Sequence, residues 1–275
     1  MNRLPFYKMS GAGNDFIIID NRRGIVEIED LSRFAARICR RKMSVGADGL
    51  FLIEKSERAD FKWQFFNSDG SVAEMCGNGA RCAARFAFLT GITGRELTFE
   101  TLAGIIGASV EGEHVRIRLT APRDMALNRM LNLPSASMTY SFINTGVPHV
   151  VVEVGEVESV DVVALGRQIR RHSDFAPAGA NVNFVAPLAE DVFAIRTYER
   201  GVEDETLACG TGNVAAALIL AARHGRPSPV TLSTRSGSRL KVYFERGGGQ
   251  WEAVYLEGDA RVIYTGELDE AAWNY

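Results

Sequence analysis

The chain has 275 residues, 46% of them hydrophobic and 24% charged, a composition typical of a globular protein rather than a fibrous or disordered one. Thirty-one basic and thirty-four acidic residues leave a net charge of −3, which excludes a strongly basic surface for nucleic acid or anionic lipid. Four cysteines are too few for a disulfide framework, and no apolar run approaches the length of a membrane span. We therefore expect a cytoplasmic protein that neither enters a membrane nor binds nucleic acid.

Short apolar or alternating runs predict strands along the whole chain. We expect strands at 16–20, 50–53, 61–66, 97–101, 115–119, 150–154, 192–198, 230–234, 240–244, 253–256 and 261–264. Helical periodicity is confined to four segments, at 31–41, 78–89, 162–171 and 211–223. Because each half of the chain has many strands and about two helices, an α+β fold is favoured over a doubly wound parallel sheet.

An internal repeat relates the two halves of the chain. The segment MCGNGARCAARF at 75–86 aligns with ACGTGNVAAALI at 208–219, so that Cys76 coincides with Cys209 at an offset of 133. The same offset relates Gly77 to Gly210 and Gly79 to Gly212, and it continues without a gap to a third pair, Gly104 and Gly237. A shared cysteine and three shared glycines at one fixed shift indicate a duplicated unit.

The repeat predicts two similar domains, each a mixed, barrel-like sheet around a central helix, related by an approximate two-fold axis. We place the N-terminal domain at residues 1–122, joined by the tail 265–275, and it carries Cys76. The C-terminal domain at 123–264 carries Cys209. The boundary is set near 120–135, where prolines and asparagines interrupt the periodicity.

Each half carries the sequence Cys-Gly-X-Gly immediately before an Ala-rich apolar helix. Glycine lets the backbone turn tightly and approach a ligand closely, and the first-turn N–H groups of a helix form an anion site. The same N–H groups favour a thiolate over a thiol, because they stabilise negative charge. Each motif therefore offers a candidate base beside a site for a carboxylate.

A cysteine next to glycine is more often a small buried hydrophobic residue than a functional one. Its recurrence at equivalent helix starts favours function for Cys76 and Cys209, whereas Cys39 and Cys82 lie in amphipathic or apolar patterns typical of packing. No Cys-X-X-Cys pair occurs and the four histidines are scattered, so no metal site is expected. Residues 210–215 match a dinucleotide fingerprint, but they follow a polar loop rather than a strand, so no cofactor is expected.

Two equivalent acid–base groups suit a racemase or epimerase. Such an enzyme removes a proton from one face of a carbon and returns a proton to the other face, through a nearly planar intermediate. Abstraction of an α-proton without a cofactor also requires fixed hydrogen-bond donors for the charge that develops on the substrate carboxylate. Two helix N-termini would supply those donors.

The chain resembles the diaminopimelate epimerases along its whole length. The resemblance rests on the segments SGAGNDFIIID, VGADGL, FNSDGSVAEMCGNGARC, NTGVPHVVV, GANVNFV and YERGVEDETLACGTG. It implies a cofactor-independent isomerase that interconverts LL- and meso-2,6-diaminopimelate in lysine and peptidoglycan precursor synthesis. It also implies that the protein forms a homodimer and that its binding partner is the small-molecule substrate.

The resemblance assigns roles to individual residues. Cys76 and Cys209 look like the two catalytic cysteines, each acting as base in one direction and acid in the other. His149 and Glu199 resemble the residues that tune them. Other residues resemble the substrate ligands of the family: Asn14, Asn67, Gly77, Asn78, Asn181, Glu199, Arg200, Gly210 and Thr211. Of these, Gly77, Asn78, Gly210 and Thr211 would bind through the backbone N–H groups of the first helical turn.

The sequence departs from the family pattern in three places. Val147 stands where many members carry asparagine, Gly49 stands where some carry glutamine, and the linker from Glu199 to Cys209 is one residue longer than in some members. Two alternatives stay open. One is another isomerase of the same architecture, such as a proline racemase or a double-bond isomerase; the other is a non-catalytic amino-acid binding module whose cysteines only pack.

Overall fold

The computed structural model describes residues 3–134, 137–248 and 250–275, and the chain divides into two compact units. Unit 1 comprises Met1–Ile117 and Gly258–Tyr275, and unit 2 comprises Arg118–Glu257. The sequence places the domain boundaries between residues 122 and 123 and between residues 264 and 265. These boundaries stay predictions. None of the helices in the described part of the chain has the length and apolar character needed to cross a membrane.

The structure contains many short strands and few helices. The strands are β1 (Leu4–Gly11), β2 (Asn14–Asp20), β3 (Gly49–Glu54), β4 (Phe61–Asn67), β5 (Glu96–Thr101), β6 (Gly104–Glu111), β7 (His114–Arg118), β8 (Arg123–Asn132), β9 (Ser137–Asn144), β10 (Pro148–Glu153), β11 (Asn181–Ala189), β12 (Val192–Glu199), β13 (Asp204–Thr206), β14 (Val230–Ser233), β15 (Arg239–Gly247), β16 (Gln250–Asp259) and β17 (Arg261–Leu268). The α-helices are α1 (Leu31–Ile38), α2 (Gly77–Leu89), α3 (Val162–Arg170) and α4 (Gly210–His224). Short 3-10 turns lie at Val157–Ser159, Ser173–Phe175 and Glu270–Ala272.

Unit 1 contains a mixed sheet with the strand order β17-β1-β2-β3-β4-β5-β6-β7. β2 pairs with β3 and β4 pairs with β5 in parallel, and the other neighbours in this order are antiparallel. Parallel neighbours need a crossover connection. α1 supplies the first crossover and α2 supplies the second.

Unit 2 repeats this arrangement with β8-β9-β10-β11-β12-β14-β15-β16. The parallel pairs are again the third and fifth, β10 with β11 and β12 with β14, and their crossovers contain α3 and α4. β13 pairs with the end of β12 that β14 leaves open. The predicted α+β class and internal duplication are therefore confirmed.

Each unit places one helix on either face of its central parallel strands. In unit 1 the residues that pack with α1 are Ile17, Ile19, Leu50 and Leu52. Because side chains alternate along a strand, Phe16 and Phe51 face α2. In unit 2, Val150 and Val182 pack with α3, so His149 and Asn183 face α4.

The helices begin close to the predicted residues, but α1 is shorter than predicted. It ends at Ile38 rather than continuing to residue 41, and the chain turns sharply at Lys42, where φ is 71°. The predicted interruption near residues 120–135 is also a strand in large part. β8 pairs with β9 through two register shifts, and Asp124 and Asn128 adopt positive φ there. These irregularities break the alternation that sequence patterns depend on.

Candidate active site

Cys76 lies at the N-cap of α2, immediately before the helix. Its backbone is extended (φ −143°, ψ 118°), and its carbonyl accepts the first helical hydrogen bond from the N–H of Ala80 at 2.7 Å. The Cys76 side chain makes no capping hydrogen bond to the helix, unlike the Ser, Thr, Asp or Asn usual at this position. The backbone N–H groups of the first turn therefore keep their capacity to bind an anion.

Cys209 occupies the same position before α4. Its backbone is extended (φ −116°, ψ 110°), and its carbonyl accepts from the Asn213 backbone N–H at 3.0 Å and from Asn213 Nδ2 at 2.7 Å. Cys209 is buried, whereas Cys76 is half-buried. The repeated motif thus produces the same local structure in both units.

The second glycine of each motif is required for packing and not for a positive φ. A Cβ on Gly79 would lie 2.3 Å from Cζ of Phe51, and a Cβ on Gly212 would lie 2.2 Å from Oδ1 of Asn183. Neither glycine is among those with a left-handed backbone. Each helix start therefore lies directly against a strand of its own sheet.

A chain of hydrogen bonds in unit 1 joins the start of α2 to β2. The buried Arg81 guanidinium donates to Asn78 Oδ1 at 2.8 Å, which leaves Asn78 Nδ2 to donate to Asn14 Oδ1 at 2.7 Å. Asn14 Nδ2 donates in turn to Asp48 Oδ2 at 3.0 Å. The structure thus brings Asn14 and Asn78 together, and it fixes the orientation of both amides.

Ion pairs anchor the other end of this chain. Arg41 bridges Asp48 and Asp15, and buried Lys8 contacts Asp15 at 2.8 Å. Burial would raise the pKa of Asp15, but the hydrogen bonds and charges of Arg41 and Lys8 outweigh it and hold the pKa below its usual value. Asp15 is therefore ionised at neutral pH.

Asn67 occupies a different environment, on an exposed turn at the end of β4. Its Nδ2 donates to Ser71 Oγ at 3.0 Å, and its backbone N–H donates to the Ser71 carbonyl at 2.8 Å. This turn leads into the segment that contains Cys76. Gly49 pairs with Asn67 across β3 and β4, and a Cβ on Gly49 would lie 2.7 Å from the Phe66 carbonyl oxygen. A larger residue at this departure from the family pattern would not fit.

In unit 2, Cys209 is connected to His149 through Thr211. Cys209 Sγ lies 3.5 Å from Thr211 Oγ1, and Thr211 Oγ1 lies 2.9 Å from His149 Nε2. His149 Nδ1 lies 3.1 Å from Asn183 Nδ2. Burial lowers the pKa of His149 to about 3, with a further contribution from the charge of Arg200, so its ring is neutral at physiological pH.

Asn181 and Arg200 lie near His149, and Glu199 is the chain neighbour of Arg200. Asn181 pairs with His149 in the parallel register of β10 and β11. Its Oδ1 accepts from the Arg200 backbone N–H at 2.8 Å, and the Arg200 guanidinium donates to the Ala178 carbonyl at 3.2 Å. Glu199 precedes Arg200 at the end of β12, and burial raises the pKa of its carboxyl group. A buried carboxyl group with a raised pKa is often functional.

The other two cysteines belong to the core of unit 1. Burial raises the pKa of Cys39 and of Cys82 to about 12 in each case. Both thiols are therefore protonated and unreactive in the folded protein. This agrees with the packing role that their sequence patterns predict.

Sequence reasoning missed four polar residues that support the predicted ones. Asp48, Arg81, Asn183 and Thr197 each hydrogen-bond to a predicted residue or to a neighbour of one. For Arg81, Asn183 and Thr197 the available signal was a polar side chain within a helix or strand rich in apolar residues, whereas Asp48 lies in the loop before β3 and gave no such signal. Within residues 3–134, 137–248 and 250–275, no group of three or more His, Cys, Asp or Glu side chains could hold a metal ion.

Comparison with known proteins points to a single family. The family model described as diaminopimelate epimerase matches residues 6–123 and 141–263, one segment for each half of the chain. A diaminopimelate epimerase from Aquifex aeolicus is 46% identical, over 99% of this chain and 100% of its own length.

Solved structures share the fold at much lower identity. A phenazine biosynthesis protein of the PhzF family from Bacillus anthracis has a TM-score of 0.74 at 17% identity, over 98% of this chain and 100% of that chain. A hydroxyproline epimerase from Agrobacterium vitis has a TM-score of 0.69 at 16% identity, over 100% of this chain and 95% of that chain. At these identities the likeness concerns the fold and does not select a substrate.

Proposed function

Because the chain belongs to the diaminopimelate epimerase family, and is therefore an isomerase, we propose that it interconverts LL- and meso-2,6-diaminopimelate. The reaction belongs to the synthesis of lysine and peptidoglycan precursors and uses no cofactor. The observation that carries the mechanism is the duplicated helix start, with a cysteine at the N-cap of both α2 and α4.

The proposed mechanism exchanges the α-proton between two sulfurs. In one direction the Cys76 thiolate removes the proton while the Cys209 thiol returns one to the opposite face, and in the other direction the roles are reversed. The proton therefore moves from carbon to sulfur and from sulfur to carbon, and the electron pair is held briefly on the substrate. The N–H groups at Gly77, Asn78, Gly210 and Thr211 stabilise the charge that develops on the adjacent carboxylate.

The remaining residues would recognise the distal end of the substrate and tune the cysteines. Asn14 has its Oδ1 engaged by Asn78 and one Nδ2 hydrogen engaged by Asp48, so its second Nδ2 hydrogen is left to donate to a ligand. Arg200 supplies positive charge for a distal carboxylate, and Asn67 and Asn181 supply amides. Glu199 would hold the amino group and, with His149, tune the cysteines.

A stereochemical assay in deuterated water tests this proposal directly. LL-diaminopimelate should yield meso product with solvent deuterium at one α-carbon only, because a second base delivers a solvent-derived proton. Cys76→Ala and Cys209→Ala should each abolish interconversion. Unlabelled product, or turnover that survives either substitution, would contradict the two-base mechanism.

A control substrate and a binding measurement separate the alternatives. Proline lacks a distal amino-acid group, so a proline racemase would turn over proline in preference to diaminopimelate, and we expect the reverse. A non-catalytic binding module would bind diaminopimelate without any deuterium exchange. Equilibrium binding measured beside the exchange assay distinguishes this outcome from an inactive preparation.

We also propose that the chain acts in the cytoplasm as a homodimer, with domains that correspond to residues 1–122 plus 265–275 and 123–264. The family resemblance and the internal repeat support this organisation. Sedimentation equilibrium over a range of concentrations would test the dimer, and limited proteolysis would test the boundaries.

A further inference from the structure

In unit 2 a series of hydrogen bonds links Asn183, His149, Thr211 and Cys209. The donor and acceptor in each of them can be assigned, beginning at Asn183. Asn183 Nδ2 contacts the Val150 carbonyl oxygen at 2.9 Å as well as His149 Nδ1 at 3.1 Å. A carbonyl oxygen can only accept a hydrogen bond, so the amide atom that faces it must be the nitrogen. The orientation of this amide therefore follows from the backbone.

The other end of the Asn183 amide is held as firmly. Its Oδ1 accepts from Thr197 Oγ1 at 3.0 Å, and it lies where a Cβ on residue 212 would be, in space that Gly212 leaves open. Asn183 is buried, so water does not compete for these contacts. A flipped amide would set its oxygen against the Val150 carbonyl, which costs free energy with no compensating contact.

The fixed amide determines the tautomer of His149. Because Asn183 donates a hydrogen to Nδ1, Nδ1 must be the unprotonated nitrogen, and the ring proton lies on Nε2. Nε2 then donates to Thr211 Oγ1 at 2.9 Å. Burial, aided by the charge of Arg200, keeps the pKa of this ring near 3, so a doubly protonated ring does not arise near neutral pH.

Thr211 hydrogen-bonds to both His149 and the sulfur of Cys209. Its oxygen accepts from His149, so its own hydroxyl hydrogen is directed to Cys209 Sγ, 3.5 Å away. A hydrogen bond donated to sulfur stabilises the thiolate relative to the thiol. With the opposite tautomer, Thr211 would donate to Nε2 and accept from the thiol, which would stabilise the protonated form instead.

We propose that Asn183 is a positioning residue that locks His149 as the Nε2–H tautomer, so that the Thr211 hydroxyl donates to Cys209 Sγ and favours its thiolate. The proposal rests on the proposed function, since it concerns how one of the two exchanging sulfurs is prepared. It gives a role to the Thr211 side chain in addition to its backbone N–H group.

In the described part of unit 1, aromatic side chains occupy the positions that correspond to His149 and Asn183. The offset of 133 places Phe16 where unit 2 has His149, and the parallel register that pairs Phe16 with Gly49 and His149 with Asn181 places Phe51 where unit 2 has Asn183. Phe16 and Phe51 form an edge-to-face aromatic pair with ring centroids 5.3 Å apart. The hydrogen bonds that link Asn183, His149 and Thr211 to Cys209 are therefore not repeated at the equivalent positions of unit 1.

Nuclear magnetic resonance of the enzyme labelled with 15N in histidine tests the tautomer. Long-range 1H–15N correlations should show a proton on Nε2 and none on Nδ1 of His149. In Asn183→Asp the new carboxylate can only accept, so the proton should move to Nδ1. A wild-type ring protonated on Nδ1 would overturn the proposal.

The pH dependence of alkylation, followed at the Cys209 peptide by mass spectrometry, tests the consequence. Asn183→Asp and Thr211→Val should each raise the midpoint of Cys209 alkylation by about one pH unit. Thr211→Ser keeps the hydroxyl and should retain the wild-type midpoint. Thr231→Val is the control for a general loss of stability in unit 2, because Thr231 is half-buried in β14 and takes no part in these hydrogen bonds.

An unchanged midpoint in both Asn183→Asp and Thr211→Val would overturn the proposal, and Thr211→Val decides the matter if Asn183→Asp does not fold. Neither readout requires turnover. The two proposals can fail separately. If His149 carries its proton on Nε2 and the alkylation midpoints shift as expected, but diaminopimelate shows no deuterium exchange, the proposed function is refuted and the inference about Cys209 stands.

Discussion

Arg81 lies one turn into α2 and donates a hydrogen bond to the side-chain oxygen of Asn78 at 2.8 Å, with both residues buried. The same guanidinium donates to the carbonyls of Gly77 and Asp259, each at 3.3 Å. Burial lowers the pKa of Arg81. The hydrogen bonds to its guanidinium come from neutral oxygens of the first helical turn and of a neighbouring strand. The equivalent position in α4 is Val214. The helix start of unit 1 therefore contains a buried cation where the helix start of unit 2 has an apolar side chain.

Replacing this cation should cost both stability and substrate affinity. Arg81→Met removes the donor to the buried Asn78 Oδ1 and to two part-buried carbonyl oxygens, and we expect the free energy of unfolding to fall by about 3 kcal/mol. The KM for LL-diaminopimelate should rise because Asn78 and Asn14 lose their fixed orientation. Urea unfolding and steady-state kinetics measure the two effects.

Arg58→Met is the matched control. Arg58 is exposed and pairs with Glu100 at 2.9 Å, and an exposed pair of this kind contributes less than about 1 kcal/mol. If Arg81→Met were as stable as Arg58→Met and bound substrate as well, the role assigned to the cation would be wrong.

The helix start in unit 1 should not tolerate a single added methyl group. Gly79→Ala places a Cβ 2.3 Å from the Phe51 ring, which has to move within a packed core, and we expect a loss of about 1–3 kcal/mol in unfolding free energy. Phe51→Leu in the same chain should recover part of this loss by making room.

Gly94→Ala provides the comparison, since an added Cβ there meets no atom within 4 Å. Thermal or urea unfolding of the two single variants and of the double variant gives the coupling directly. Equal stability of Gly79→Ala and Gly94→Ala would refute the close approach of α2 to its sheet.

Acid should destabilise the fold through His149. The folded-state pKa of about 3 lies below the ordinary value of 6.5, so the unfolded chain binds a proton at this residue between these pH values and the folded chain does not. Stability from the neutral ring is therefore complete above pH 6.5 and is lost as the pH falls toward 3. Between pH 7 and pH 5 the loss from this residue should be about 2 kcal/mol.

Urea unfolding of the wild type and of His149→Gln at the two pH values isolates this contribution. His149→Gln should lose about 2 kcal/mol less than the wild type on acidification. Substitution of an exposed histidine, His114→Gln, should keep the wild-type difference. A His149→Gln variant with the full wild-type pH dependence would contradict the burial of a neutral ring.

Cys39 and Cys82 should be inert while the protein is folded. Their pKa values are raised from 9.0 to about 12 by burial, so the thiolate fraction at pH 8, and with it the rate of alkylation, should be about 1,000-fold lower than after unfolding. Peptide mass spectrometry after brief iodoacetamide treatment measures each site separately. Cys39→Ala and Cys82→Ala should retain turnover, and rapid labelling of either thiol in the folded enzyme would argue against its place in the core.

Much of the fold could be predicted from the sequence because it is locally encoded. The apolar helices after Cys76 and Cys209 and the buried strands on either side of them carry strong periodic patterns. β8 was missed because two register shifts and two residues with positive φ disrupt its alternation. β1 and β9 were not predicted although each pairs with a strand on both sides, β1 with β17 and β2, and β9 with β8 and, over residues 141–144, with β10.

The sequence names candidate site residues but not the contacts between them. The repeat points to Cys76 and Cys209, and the family resemblance points to His149 and Asn14; their functional roles stay predictions. The hydrogen bonds from Asn14 to Asp48 and from His149 to Asn183 depend on which strands become neighbours and in which register. Such pairings join segments more than 30 residues apart, as the sequence numbers of these partners show, and no local pattern encodes them.

The second glycine of each motif has a thermodynamic consequence. Because Gly79 touches Phe51 and Gly212 touches Asn183, each set of first-turn N–H groups is already immobilised against its sheet before any ligand arrives. The entropy of ordering these donors is lost when the chain folds, so a carboxylate bound there, as proposed above, would gain nearly the full free energy of its hydrogen bonds. Adaptation to different ligands is then left to exposed segments such as the turn that carries Asn67.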